Sequence, residues 1–153
     1  RSDGGTCHPA SMSSLTTLSL PSLVVIGGNF NPATMTSLTS ISLPSIEVFG
    51  VNLAAGNAVQ LSSSMAAVTS FVFPESLKRV GGAAGDVVIT SAALDQTSVD
   101  SILVRLAALD GTNGTTTFNN RTVTITGTSA TPSATGLAAK ATLQARGCTV
   151  THN

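Results

Sequence analysis

The side chains best suited to chemistry in this sequence stand far from one another. Cys7 and Cys148 lie near opposite ends, and their spacing fits neither a zinc motif nor a redox CxxC pair. His8 and His152 are too few and too isolated to propose a metal site. Asp86, Asp95, Asp100 and Asp110 have no nearby base or nucleophile in sequence, and no Ser/His/Asp or Cys/His arrangement can be built from local spacing. The expectation is therefore no catalysis, no cofactor and no metal. Asn113-Gly-Thr and Asn120-Arg-Thr fit the N-glycan acceptor pattern, one that a Thr-rich loop produces by chance.

Composition narrows the partners. Charged residues make up only 9% of the chain, and seven basic side chains cancel seven acidic ones. Nucleic acid and anionic membranes both call for a basic excess, so neither is an expected partner. The polar surface must be built from Ser, Thr, Asn and Gly. There is no Trp, no Tyr and only five Phe, which disfavours a sugar-stacking surface. No apolar run approaches the ~18 residues of a membrane helix. The sequence starts at Arg1, without an initiator Met or a signal-peptide pattern, and reads as a processed product or a piece of something longer.

The elements that position these side chains are repetitive. "MSSLTTLSLPSLVVIGG" begins at Met12, "MTSLTSISLPSIEVFGV" at Met35 and "MAAVTSFVFPESLKRVGG" at Met65. Apolar residues recur at Leu15, Leu18, Leu20; at Leu38, Ile41, Leu43; and at Val68, Phe71, Phe73, each set followed by Pro21, Pro44 or Pro74. Alternation at Leu18 and Leu20 puts both on one face of a short strand. One such strand cannot bury that face alone. Ile41 and Leu43, then Phe71 and Phe73, are expected to lie beside them as a continuous apolar spine. Proline ends each strand because it lacks the amide for a ladder bond.

Beyond residue 85 the pattern changes. "DVVIT" (86–90) reads as a strand joining either the main sheet or an opposing one. "TSVDSILVRLAALDG" reads as a helix, with Thr97 and Asp100 at capping-box spacing and Gly111 closing it. "RTVTIT" is a strand. "TPSATGLAAKATLQARG" is a second helix, with Thr131 as cap, Pro132 in its first turn and Gly147 at its end. "CTVTH" is the last strand. Right-handed crossovers are expected to add these strands, in parallel, to the same stack.

The pattern L-x-x-L-x-L-P-x-L-x-x-I-G, over roughly 12–82, resembles the bacterial leucine-rich repeats of BspA-like surface antigens. The stretches "ALDQTSVDSILVRLAAL" and "VTITGTSATPSATGLAAKATLQARGCTVTHN" are similar to the C-terminal repeat and cap of leucine-rich repeat proteins of tailed bacteriophages. That family's tail ends in a Gly-Trp-Thr-Val pattern, and here Cys148 stands where the Trp would be. The resemblance implies a non-enzymatic structural or adhesive role, on a virion or a bacterial surface.

The fold class expected is α/β: a short leucine-rich repeat solenoid of parallel strands. Short coils occupy 12–90, strand–helix repeats and a cap occupy 91–153, and residues 1–11 form a candidate edge cover. Thr17, Ser19, Ser40, Ser42, Ser70, Val72 and Thr124 point outward and form a candidate interaction face. Protein neighbours, including further copies of the chain, are the expected partners, and a glycan is disfavoured. The setting is a virion decoration protein, with an adhesin or receptor-binding module and a filament subunit as alternatives. Five or six strands at ~4.8 Å separate the ends by roughly 20–25 Å, whereas a disulfide needs Cα atoms within ~7 Å. Cys7 and Cys148 are thus either two unrelated thiols or a bridge between successive copies stacked head to tail.

Overall fold

The computed structural model describes residues 2–3, 12–32, 35–61, 65–82 and 84–153. After β1 (Ser2–Asp3), the chain makes three passes that lay short strands at matching places. The first pass holds β2 (Thr17–Ser19) and β3 (Val25–Ile26), and ends at Phe30, which bridges in parallel to Val59. The second holds β4 (Ser40–Ser42), β5 (Val48–Phe49) and β6 (Asn57–Leu61). The third holds β7 (Ser70–Phe71), β8 (Arg79–Val80) and β9 (Asp86–Ile89). Helix α1 (Gln96–Ala108), β10 (Thr122–Ile125), helix α2 (Ala134–Ala145) and β11 (Thr149–His152) complete the chain.

The molecule is therefore mixed α/β, and every strand pair among the described residues is parallel. Among the described residues the strands form three sheets, in the orders β2-β4-β7, β1-β3-β5-β8 and β11-β10-β9-β6. In the first, Leu18 stands opposite Ile41, and Ile41 opposite Phe71. The repeated prolines and methionines set the turns between strands. The amides of Leu15, Leu38 and Val68 each donate to the carbonyl of the methionine three residues earlier, at 3.0–3.1 Å. Leu23 and Ile46 likewise donate back to Leu20 and Leu43, at 3.2 Å. In the third pass one extra residue, Glu75, moves the equivalent bond to Leu77 and Pro74.

The three sheets face a common core. Phe30, Phe49, Phe71 and Phe73 meet there, with the contacting ring centroids 5.3–5.9 Å apart; Phe71 comes from the first sheet, Phe49 from the second, and Phe30 from the bridge beside β6. Tilted and edge-on contacts of this kind add to the stabilisation from burial alone.

The C-terminal strands depart from expectation. β9, β10 and β11 do not extend the sheet of Leu18; they join β6 in the third sheet. The reason lies at the outer edge of β7. Helix α1 lies there, and the hydroxyls of Ser98 and Ser101 accept the amides of Phe71 (3.1 Å) and Phe73 (3.4 Å). A strand has no access to donors already used in this way. The short spacing of Asp86–Ile89 from Phe71 is explained likewise, because β9 belongs to the same pass as β7 and not to the next.

Helix ends also differ from the expected ones. Asp95, not Thr97, caps α1, accepting from the Ser98 amide at 2.8 Å. Asp100 instead accepts the Ser133 amide at 2.9 Å and ties the start of α2 to α1. Ser133, not Thr131, caps α2. Leu109 caps the end of α1, two residues before Gly111, while Gly147 follows the α2 cap at φ +77°. Gly136 lets the two helices close up: a Cβ there would lie 2.1 Å from the Asp100 carboxylate.

Candidate functional site

The sheet β2-β4-β7 builds one face from the residues upward. Its inward side chains are Leu18, Ile41 and Phe71, all buried. Alternation then turns their neighbours outward. Thr17, Ser40 and Ser70 form one row across the sheet, and Ser19 and Ser42 form a second. Thr17, Ser19 and Ser42 are exposed, and Ser40 and Ser70 half-buried. Val72 follows β7 directly and is 44% exposed, one of four exposed large apolar side chains among the described residues. Ser40, Ser42, Ser70, Val72 and the rings of Pro44 and Pro74 border a shallow groove of about 310 Å³.

Thr124 is not part of this face. It lies on β10, opposite Val88 and Thr151 in the third sheet. Strand periodicity assigns a residue to a side of its own sheet, and the assignment to a common sheet fails because α1 intervenes.

One row of threonines lies beside the outward-facing set. Thr16, Thr39 and Thr69 precede the strands and are exposed. The Thr39 amide and hydroxyl both donate to the Thr16 carbonyl, at 2.8 and 2.9 Å. Those of Thr69 donate to the Thr39 carbonyl, at 2.9 and 3.4 Å. The Thr69 carbonyl takes the Asp95 amide at 2.9 Å. The repeated Thr four residues after each Met was the available signal. The Thr39 and Thr69 hydroxyls are engaged with backbone, which stiffens one border of the face, while Thr17, Ser19 and Ser42 are its exposed hydroxyl residues.

A larger cleft, about 730 Å³, lies elsewhere, among α1, the turn before β8 and the loop after α1. Three of the ionic groups that line it, Lys78, Arg105 and Asp110, have structural partners. Lys78 pairs with Glu47 at 3.2 Å. Arg105 donates to the Leu77 carbonyl from Nε at 2.8 Å and from Nη2. Asp110 accepts from the Thr112 hydroxyl at 2.6 Å and amide at 2.9 Å. Those two bonds hold its carboxyl below the ordinary value, against a small opposing effect of desolvation and with help from the Arg146 guanidinium. Ser101 has no activating base; its hydroxyl donates to the Ser98 carbonyl. The Arg105 bonds tie α1 to the turn before β8.

The remaining chemistry-bearing residues are dispersed. Cys7 and His8 lie outside the described residues. Cys148 is a free thiol, 6% exposed, with Sγ 3.9 Å from the Phe118 carbonyl. A bridge from it to another chain requires this end of the sheet to open first. His152 lies 3.1 Å from Lys140 Nζ through Nε2, and its Nδ1 contacts the Asn153 carbonyl oxygen. Asn113 and Asn120 are both exposed and at φ +50°. Among the described residues, no group of three or more His, Cys, Asp or Glu side chains is placed to hold a metal ion, and no helix is long and apolar enough to cross a membrane.

No protein-family model, curated protein or solved structure matches the chain.

Proposed function

We propose that the chain is a short leucine-rich repeat solenoid with a non-enzymatic role: it docks by its surface onto protein neighbours in an assembly. The setting is the decoration of a bacteriophage virion, on capsid, tail or fibre, as the resemblance of its repeats and tail implies. The observation that carries the docking reading is the sheet β2-β4-β7, where a row of buried Leu18, Ile41 and Phe71 backs two rows of hydroxyl residues in strict register. A backbone ladder of this kind is rigid, so little conformational freedom is lost when a partner settles on it. The face carries no formal charge and no aromatic side chain, since Phe71 and Phe73 are both buried. That favours a flat protein neighbour, held by hydrogen bonds and by Val72, over a sugar held by ring stacking.

The test is fractionation of the native source, followed by quantitative mass spectrometry of sedimented particles. The chain is expected in a fixed, high ratio to the main shell or tail subunit. Ser42→Arg and Ser70→Arg, which leave the inward row intact, are expected to remain folded and to be lost from the particle. Recovery of the chain only as free protein overturns the reading. Recovery in a few copies at a tip overturns decoration in favour of an adhesin.

A further inference from the structure

The loop after α1 contains a tight turn at Thr112–Thr115. The Thr115 amide donates to the Thr112 carbonyl at 2.9 Å, and the Thr115 hydroxyl donates to the same oxygen at 2.7 Å. Between them Asn113 and Gly114 both take positive φ, +50° and +75°. Positive φ at both central residues marks a type I′ turn, and Asn-Gly is the pair that favours it. Asn-Gly occurs nowhere else in the sequence.

The same pair has a reaction of its own. An asparagine side-chain amide has an electrophilic carbon, and the next main-chain nitrogen can close a five-membered ring on it. A side chain on that next residue crowds the approach, and glycine has none. At Gly114 the way is clear, since a Cβ there would meet nothing within 4 Å. Asn113 and Gly114 are both exposed, so water reaches them. The Gly114 amide has no acceptor among the described residues. The Asn113 side chain makes one long bond, from Nδ2 to the Thr112 hydroxyl oxygen at 3.4 Å. A type I′ backbone turns the Gly114 nitrogen away from Asn113 Cγ, so the ring closes during a transient opening of the turn. Exposed loop tips open in this way at little cost.

The chain that follows the turn closes a sheet edge. β8 is the outer strand of the second sheet. The Thr116 amide donates to the Lys78 carbonyl, just before β8, at 2.9 Å. Arg121 Nη2 donates to the Gly82 carbonyl, just after β8, at 2.8 Å. Thr116 directly follows the last residue of the turn, so a change in main-chain length within the turn falls on its bond to Lys78.

We propose that Asn113 is a self-modification site: the Gly114 nitrogen converts it to isoaspartate, and the lengthened turn releases its hold on the β8 edge. The Gly114 nitrogen gives its proton to solvent base and bonds to Asn113 Cγ. The Cγ–Nδ2 bond then breaks, and ammonia leaves with a proton taken from solvent. The resulting succinimide adds one water. Cleavage between the nitrogen and the Asn113 main-chain carbonyl carbon leaves the chain running through Cβ and Cγ, as isoaspartate. Cleavage between the nitrogen and Cγ gives Asp. The net change is amide plus water to acid plus ammonia, with no oxidant, reductant or cofactor. Isoaspartate adds one carbon to the main chain inside a turn closed by the Thr115 amide, which that bond geometry does not accommodate.

The experiment ages the full chain at mildly alkaline pH and follows each asparagine by digestion and mass spectrometry. Enzymatic methylation of isoaspartate tells the two products apart. Asn113 is expected to convert at least tenfold faster than Asn119 and Asn120, which are also exposed but precede larger residues. One ammonia should be released per conversion. In the converted protein the Thr116 amide is expected to exchange hydrogen at least tenfold faster, while the Phe71 amide keeps its protection. Asn113→Gln protein aged alongside should keep Thr116 protected. Fresh Asn113→Asp protein should do the same, since it gains the charge without the extra main-chain carbon. Three results overturn the proposal: conversion of Asn113 no faster than that of Asn119 or Asn120, unchanged Thr116 exchange in the isoaspartate protein, or equal loosening in fresh Asn113→Asp protein, which would assign the effect to charge.

Discussion

The Ser98 hydroxyl accepts the Phe71 amide at 3.1 Å, and both residues are buried. Through this bond a helix does the work of a neighbouring strand. Ser101, one helical turn on, repeats the device at Phe73. A parallel sheet edge that offers free amides is open to unwanted pairing. Two serines three residues apart close this one, and they redirect the C-terminal strands into a different sheet.

Ser98→Ala is expected to destabilise the protein by roughly 1–3 kcal/mol, because it strands a buried Phe71 amide without replacing its partner. Urea unfolding should show a lower midpoint at unchanged slope. An unchanged midpoint would mean that the amide finds another acceptor and that α1 does not close the sheet.

Gly136→Ala is expected to destabilise by about 1–3 kcal/mol, since the added Cβ meets the Asp100 carboxylate and, at 2.9 Å, the Pro132 ring. Asp100→Ala alone forfeits the bond to the Ser133 amide. In the double variant the two losses should not add, because Asp100→Ala removes the principal clash. A thermal-denaturation cycle with strictly additive losses would contradict the close approach of α1 and α2 at this pair.

Asp110 supplies a pH signature. Its carboxyl is held below the ordinary value of 3.8 by the Thr112 hydroxyl first and the Thr112 amide second. A carboxyl with a depressed folded-state pKa contributes stability that is present above the unfolded value and lost as pH falls through the folded value. Below about pH 4, then, the wild type should lose stability relative to Asp110→Asn. An NMR titration of the Asp110 side chain should show a midpoint below 3.8 that rises toward it in Thr112→Val. A midpoint indifferent to Thr112→Val would contradict the assignment of cause.

Much of the N-terminal half was legible in the sequence because one rule, alternation beside a recurrent Met and Pro, governs Leu18, Ile41 and Phe71 alike. Strand β6 was not. Ala58, Val59 and Leu61 are all buried, so Asn57–Leu61 lacks the two-residue alternation that announces a half-exposed strand. The helix caps were misplaced because Asp95, Thr97 and Ser98, like Thr131 and Ser133, all have capping chemistry, and only backbone geometry selects among them. Thr124 was misassigned for a different reason: sheet membership depends on the contact between Ser98 and Phe71, which no local pattern records.

In the register of the first sheet Ser19 faces Ser42, and the interaction face depends on that register. Its most direct test is disulfide formation in a Cys7→Ser, Cys148→Ala background. In-register residues of neighbouring strands lie ~4.8 Å apart, whereas a pair displaced by two residues lies roughly 8 Å apart, beyond the ~7 Å reach of a disulfide. Mild oxidation is therefore expected to close an intramolecular bond in the Ser19→Cys, Ser42→Cys protein and not in the Thr17→Cys, Ser42→Cys protein. Closure of the displaced pair in place of the aligned one would contradict the stacking of the passes and the interaction face built on it.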